Sequence, residues 1–211
     1  MRFAHAIENA DRVRGKARVA ISGGSAASVV GEARKLIPAN VWSRLCLTWA
    51  DERCVPFASA DSNRGTAYKE GWLDANAAVA HELPLFRDDE SPESACARVT
   101  NNLNTFFDNA LDVVLLGLGE DGHIASLFPG HPSLREKAKL VVAISDSPKP
   151  PPRRITLTLP LIDSAATKLV YAVGSGKRNA IERSLSRETI LPLSHLQHID
   201  IITDLALGDR K

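Results

Sequence analysis

The chain has 211 residues, a length that fits one α/β domain. Hydrophobic residues make up 44%, enough for a sizeable core, and 26 Lys and Arg against 25 Asp and Glu leave a net charge of +1. That balance provides no basic field for nucleic acid or for an anionic membrane surface. No apolar run is long enough to cross a bilayer and no charged-then-apolar leader opens the chain, so neither a span nor a secretory leader is expected. Cys46, Cys54 and Cys96 are odd in number and lack CxxC spacing; reduced thiols in a cytoplasmic protein are expected.

Residues 1–16 read as a helix and a turn closing at Gly15, and residues 18–21 (RVAI) as a first short strand. Ser22-Gly23-Gly24-Ser25 follows at once. A helix comes next, with Ala26, Val29, Val30, Ala33, Leu36 and Ile37 at helical spacing and Pro38 beyond it. A strand, Gly-Gly-Ser and a helix N-terminus form a device for anions, because free N–H groups and the helix dipole face the ligand and glycine permits contact. A plain tight turn fits the same residues. No lysine lies in this loop, so it is not a nucleoside-triphosphate P-loop.

Residues 45–49 (LCLTW) form the second convincing strand, which delivers Ala50-Asp51-Glu52-Arg53 to the same carboxyl edge. Three consecutive charges after a buried strand require partners, or else a surface turn. Cys54 reads as a small packed residue. Asp61 to Arg64 offer N-capping side chains before a helix through Tyr68, Trp72 and Leu73. Ser91-Pro92-Glu93 opens a further helix, with Val99, Leu103, Phe106, Phe107 and Ala110 on one face.

Residues 113–116 are a short apolar run rich in β-branched side chains, as in a buried strand of a parallel sheet. Gly117, Gly119 and Gly122 then alternate with Glu120 and Asp121 ahead of His123. Open α/β sheets bind ligands beyond the carboxyl ends of their strands, where this loop falls, and His123 is the candidate catalytic base. The glycines also spell GxGxxG, with Asp146 at about the distance of a ribose-binding acid. Glu120 and Asp121 would oppose a pyrophosphate, however, and Pro129-Gly130 cuts the following helix short, so nucleotide binding is not expected.

Beyond Gly130, residues 131–139 read as a helical stretch and 140–144 as a strand. Residues 148–154 (PKPPPRR) are an extended connector. It is read as a surface loop, since the chain beyond it would make a marginal separate domain; one domain over 1–211 is expected. Residues 155–159 and 168–173 read as strands, Gly174-Ser175-Gly176-Lys177 as a Gly-rich turn, and the segment with Ala180, Ile181, Ser184 and Leu185 as a helix. Lys177 beside such a turn can reach an anion or stay in solvent. Residues 199–202 are a last strand. His195 and His198, with Asp200, lack the ligand number of a zinc site, no third ligand joins Asp121 and His123, and GxSxG is absent. No metal is expected. Helices alternate with strands throughout, which predicts an α/β fold around a largely parallel sheet.

Taken together, SGGS at 22–25, DERCVP at 51–56, Ser62-Asn63, GLGEDGHIASLFPG at 117–130, RITLT at 154–158 and GSGK at 174–177 resemble the 6-phosphogluconolactonase family, which shares its superfamily with sugar-phosphate isomerases and deaminases. The resemblance implies a modified Rossmann-like α/β fold and hydrolysis of 6-phospho-glucono-1,5-lactone to 6-phosphogluconate in the oxidative pentose phosphate pathway. It implies no required metal or organic cofactor, and a small phosphorylated lactone as the partner; it leaves the oligomeric state open. His123 is implied as the base, and Arg53, Arg154 and Lys177 as the groups around phosphate and carboxyl oxygens. Three features depart from the pattern: Ala26-Ala27 stand where Thr-Pro is usual, Arg64 stands where Tyr often follows Ser-Asn, and the segment before the first strand is short.

The residues suit that chemistry. A histidine with a pKa near ~6.5 can take a proton from water and return it to the ring oxygen of a lactone. Gly23, Gly24 and Ser25 offer N–H groups, Arg53 offers a cation for the oxyanion, and Asp51 is a candidate for orienting the histidine or the water. A glucosamine-6-phosphate deaminase would share GxDGH but continue with Phe-Asn-Glu-Pro, where this chain has Ser126-Leu127-Phe128-Pro129. An inactive sugar-phosphate-binding regulator would carry a DNA-binding segment, and none is visible.

Overall fold

In the computed structural model, which describes residues 1–73 and 78–207, the chain opens with helix α1 (Arg2–Arg14). Gly15 ends it in the left-handed conformation (φ 71°), which glycine adopts without a Cβ clash, and turns the chain into β1 (Ala17–Ile21). Every residue of β1 is buried, as in a strand covered on both faces. A 3-10 turn over Gly24–Ala26 leads into α2 (Ala27–Leu36), and the short α3 (Ala39–Trp42) leads into the fully buried β2 (Leu45–Trp49). After β3 (Asp51–Arg53), α4 (Asn63–Lys69) and β4 (His81–Leu83), the long α5 (Pro92–Phe107) packs Ala95, Val99, Leu103 and Phe107 inward. It feeds β5 (Val113–Gly117). The rest of the chain gives β6 (Val141–Ile144), β7 (Arg154–Leu157), α6 (Leu159–Asp163), β8 (Thr167–Tyr171), α7 (Arg178–Leu185) and β9 (Ile199–Ile202).

The main sheet has six strands in the order β4-β2-β1-β5-β8-β9, and every neighbouring pair is parallel. The expected α/β fold with a largely parallel sheet is therefore the one observed. A smaller antiparallel sheet, β3-β7-β6, stands beside it. One continuous core cluster runs from Phe3 to Leu196 and includes Ile155 and Leu157 of the small sheet. Arg18 and Asp112 form a buried ion pair near the amino ends of β1 and β5. The Asp112 carboxylate accepts from Arg18 Nε at 2.9 Å, Arg18 Nη2 at 2.7 Å and the Arg18 backbone N–H at 2.9 Å.

Several expectations are corrected. The stretch after His131 is only a 3-10 turn over Pro132–Arg135. The Glu136 side chain accepts from the N–H groups of Ala138 and Lys139, which a continuing helix would have given to carbonyls. Helix α4 stops at Lys69, and Gly71 takes a positive φ of 74°; Trp72 and Leu73 are buried beyond the helix. Asp51–Arg53 is a strand, pairing Asp51 with Thr156, Glu52 with Ile155 and Arg53 with Arg154. The strands expected at 140–144 and 155–159 lie in the small antiparallel sheet, and Leu159 already begins α6, with Pro160 in its first turn.

Candidate active site

Strand β1 has β2 on one side and β5 on the other, so the chain changes direction across the sheet between β1 and β5. Open α/β sheets form their ligand crevice at such a point. Here a cleft of about 300 Å³ opens at the carboxyl ends of β1, β5 and their neighbours. The loop after β1 supplies Ser22 to Ser25, the loop after β5 supplies Gly117 to His123, and the turn after β8 supplies Lys177. Asp51, Arg53 and Arg154 enter from the small sheet.

His123 is held by its own loop. Its Nδ1 lies 2.6 Å from Asp121 Oδ1. Burial alone would raise the Asp121 carboxyl, but the hydrogen bond and charge of His123, together with Lys149, outweigh it and hold Asp121 at about 2. Asp121 is therefore ionised and can only accept, so Nδ1 carries the proton and Nε2 is left as the lone-pair nitrogen. Burial pushes the His123 imidazole below its ordinary value; Asp121 pulls it back up, and Lys149 pushes it down again. Phe128 covers the ring at a centroid distance of 5.1 Å. A Cβ at Gly119 would collide with both the His123 ring and the Asp121 carboxylate, so the pair exists only because residue 119 has no side chain. Gly119 N–H also donates to the His123 carbonyl at 2.8 Å, and Gly122, at φ 89°, closes the turn.

The three charges after β2 have separate partners. The Asp51 carboxylate accepts from Ser126 Oγ at 2.6 Å and lies 3.8 Å from Arg154 Nη1. Glu52 is buried and caps α4, accepting from the N–H groups of Asn63 and Arg64, both at 2.8 Å, and from Arg53 N–H at 2.8 Å. Burial pushes the Glu52 carboxyl up against those three N–H bonds. Arg53 Nη1 donates to the Asp61 carbonyl at 2.7 Å, while its Nε is buried without a partner among the described residues.

Arg154 is 3% exposed. It donates from Nε to the Pro151 carbonyl at 2.9 Å, and from Nη2 to the carbonyls of Lys149 and Pro150 at 3.1 and 3.0 Å. Nη1 reaches Ser126 Oγ at 3.3 Å. A guanidinium has five N–H donors, so one hydrogen is left on Nη1, the nitrogen that lies 3.8 Å from the Asp51 carboxylate.

On the opposite wall, Gly23 packs against Asn63 so closely that a Cβ there would overlap the amide, whose Nδ2 donates to the Asp51 carbonyl at 2.8 Å. Among the described residues no side chain caps the 3-10 turn over Gly24–Ala26, so the N–H groups that open it are available to an anion, while Ala27 N–H, the first of α2, donates to the Gly24 carbonyl. Ser22 Oγ is buried at the cleft wall without a partner among the described residues. Lys177 is half-buried and makes no ion pair within the described chain.

All the site residues expected from the sequence — His123, Asp51, Arg53, Gly23, Gly24, Ser25, Arg154 and Lys177 — line this one cleft. Asp51 is not the hydrogen-bond partner of His123; Asp121 is. Arg64 stands outside the cleft wall, bound to Glu82 at 2.6 Å and stacked over Phe57. Asp146 pairs with His131 at 3.1 Å, away from the glycine loop, and His195 Nε2 contacts the Thr189 carbonyl at 2.7 Å. Sequence reasoning missed Lys149, Asn63 and Ser126 as members of the site. The only cue for Lys149 was a lone lysine in a proline run just before the strand that carries Arg154.

A switch-point crevice with cations, a helix N-terminus and an oriented histidine defines an α/β protein built to hold a small anionic ligand beside a proton-transfer group. The chain belongs to the family described as glucosamine-6-phosphate isomerases/6-phosphogluconolactonase, whose model matches residues 1–203. It is 38% identical to rat 6-phosphogluconolactonase over 196 residues, covering 87% of this chain and 75% of the rat protein. It is 39% identical over 190 residues to the probable chloroplastic 6-phosphogluconolactonase 3 of indica rice, covering 82% of this chain. The matched region is only 57% of that rice protein's length. A solved 6-phosphogluconolactonase from Shewanella baltica superposes with a TM-score of 0.79 at 27% identity, over 96% of this chain and 89% of that one. One from Thermotoga maritima shares the fold with a TM-score of 0.82 at 22% identity, over 96% and 92%.

Proposed function

We propose that the chain hydrolyses 6-phospho-glucono-1,5-lactone to 6-phosphogluconate as a single domain in the oxidative pentose phosphate pathway. The observation that carries the proposal is His123, with Nδ1 bound to an ionised Asp121 and Nε2 free, in the same cleft as Arg53, Lys177 and the uncapped Gly24–Ala26 turn. In this mechanism Nε2 takes a proton from water as the water oxygen bonds to C1 of the lactone. Arg53 stabilises the oxyanion, and Asp121 stabilises the imidazolium. Collapse breaks the bond from C1 to the ring oxygen, which receives the proton from Nε2. The product acid then releases its own proton to solvent. Lys177 and the uncapped N–H groups of the Gly24–Ala26 turn hold the phosphate, and Arg154 serves the carboxyl end. A cytoplasmic setting agrees with Cys46, Cys54 and Cys96 being unpaired, burial pushing the Cys54 and Cys96 thiols up to about 12 and about 11. No helix of the described residues is long and apolar enough to cross a membrane.

Proton release from freshly prepared 6-phosphogluconolactone in a pH-stat tests the proposal. The parent protein should release acid well above the spontaneous rate. His123→Ala should lower kcat by about 10²- to 10⁴-fold with an unchanged melting curve. A variant within a factor of about two of the parent would remove His123 from the chemistry.

A further inference from the structure

We propose that Lys149 is a positioning residue, which clamps Asp121 and keeps His123 unprotonated. The inference rests on the lactone-hydrolase function, in which His123 must start as a neutral base. Lys149 Nζ lies 3.1 Å from Asp121 Oδ2 and 3.3 Å from His123 Nδ1. Asp121 Oδ1 holds the Nδ1 proton, so Nδ1 has no lone pair for the ammonium; the lysine bonds to Oδ2 and stands beside the ring as a fixed positive charge. One carboxylate oxygen faces the histidine and the other the lysine, which fixes the plane of the carboxylate and, through it, the direction of Nε2.

The lysine is itself held from behind. Ser147 Oγ donates to the Lys149 carbonyl at 2.8 Å, and Arg154 donates to the carbonyls of Lys149, Pro150 and Pro151. A half-exposed ion pair contributes little to folding. Its effect on a base 3.3 Å away is larger, because a like charge at that distance disfavours protonation. The charged groups around His123 act in both directions. Asp121 from its own loop and Asp51 from β3 favour the imidazolium, while burial and Lys149 from the connector disfavour it. Glu120 of its own loop, and Arg53, Arg154 and Lys177 from other elements, line the same cleft. Removing Lys149 takes away one of the disfavouring influences, so His123 should protonate at higher pH.

The test has two readouts on Lys149→Met and Lys149→Arg. The first is the NMR pH titration of the His123 ring, assigned by its loss in His123→Ala, which needs no substrate. The second is the pH profile of kcat/KM on fresh 6-phosphogluconolactone. In Lys149→Met the titration midpoint should rise by about half to one pH unit, and the acidic limb of the profile should rise with it. Its kcat on the plateau should fall severalfold with KM nearly unchanged, and Lys149→Arg should restore both midpoint and limb. An unmoved midpoint in folded Lys149→Met would overturn the proposal. So would a raised KM with an unmoved limb, which would make Lys149 a substrate contact. A raised midpoint in a protein that does not hydrolyse the lactone would refute the hydrolase function and uphold the hold of Lys149 on His123.

Discussion

His123 shows how a single side chain is prepared by residues that do no chemistry. Gly119 matters through what it lacks. Gly119→Ala places a methyl group where the imidazole and the Asp121 carboxylate meet, so one of them must leave. We predict that this variant loses catalysis by about 10²-fold or more, because a misplaced catalytic group forfeits orientation. Its backbone φ lies outside the positive region, so the melting temperature should fall by only a few degrees, about what 1 kcal/mol produces. Activity near that of the parent would show that the pair tolerates displacement. At this scale the sequence is readable where neighbours in space are neighbours in the chain. His123 stands out after a buried strand, and Asp121 lies two residues before it. Lys149 does not stand out, because it reaches His123 from 26 residues downstream through a segment with no regular pattern.

Helix α4 depends on a buried carboxylate more than on its own residues. Ser62 caps it by accepting from Gly65 N–H at 2.9 Å, and Glu52 takes the N–H groups of Asn63 and Arg64. The helix in turn presents Asn63 to Gly23 and to the Asp51 carbonyl, so the cap supports one wall of the cleft. Glu52→Ala leaves three N–H groups without an acceptor and should cost about 2 kcal/mol or more in urea unfolding. Glu52→Gln keeps an acceptor oxygen and should cost distinctly less. A loss below about 0.5 kcal/mol for the alanine variant would mean that water replaces the cap. Five of the six parallel strands, β1, β2, β5, β8 and β9, were legible because buried apolar runs alternate with amphipathic helices. The separate small sheet was not, although two of its strands were read, because Asp51–Arg53 has only three residues, all charged, and pairs with a strand about a hundred residues later. Likewise β4 (His81–Leu83) is too short and polar to carry a strand pattern. Pairing across such distances leaves no local trace in composition.

For the whole molecule, the topology gathers charge that the composition hides. A net charge of +1 excludes a global field, yet Arg53, Lys149, Arg154 and Lys177 converge on one cleft with the uncapped Gly24–Ala26 turn. Such a cleft suits a phosphate, which carries about −1.5 to −2 near neutral pH and is costly to desolvate without donors. Each charge-assisted bond to it is worth roughly 1.5–3 kcal/mol, so Lys177→Ala should raise KM for the phosphorylated lactone about ten- to a hundredfold. In the proposed function this one cleft reads both a phosphate and a lactone carbonyl. The most direct measurement is kcat/KM of the parent protein on 6-phosphogluconolactone and on unphosphorylated glucono-1,5-lactone, side by side, with Lys177→Ala run on both. The parent protein should strongly prefer the phosphorylated lactone, and the loss in the variant should be confined largely to that substrate. Equal kcat/KM on the two lactones in the parent protein would contradict the proposed function.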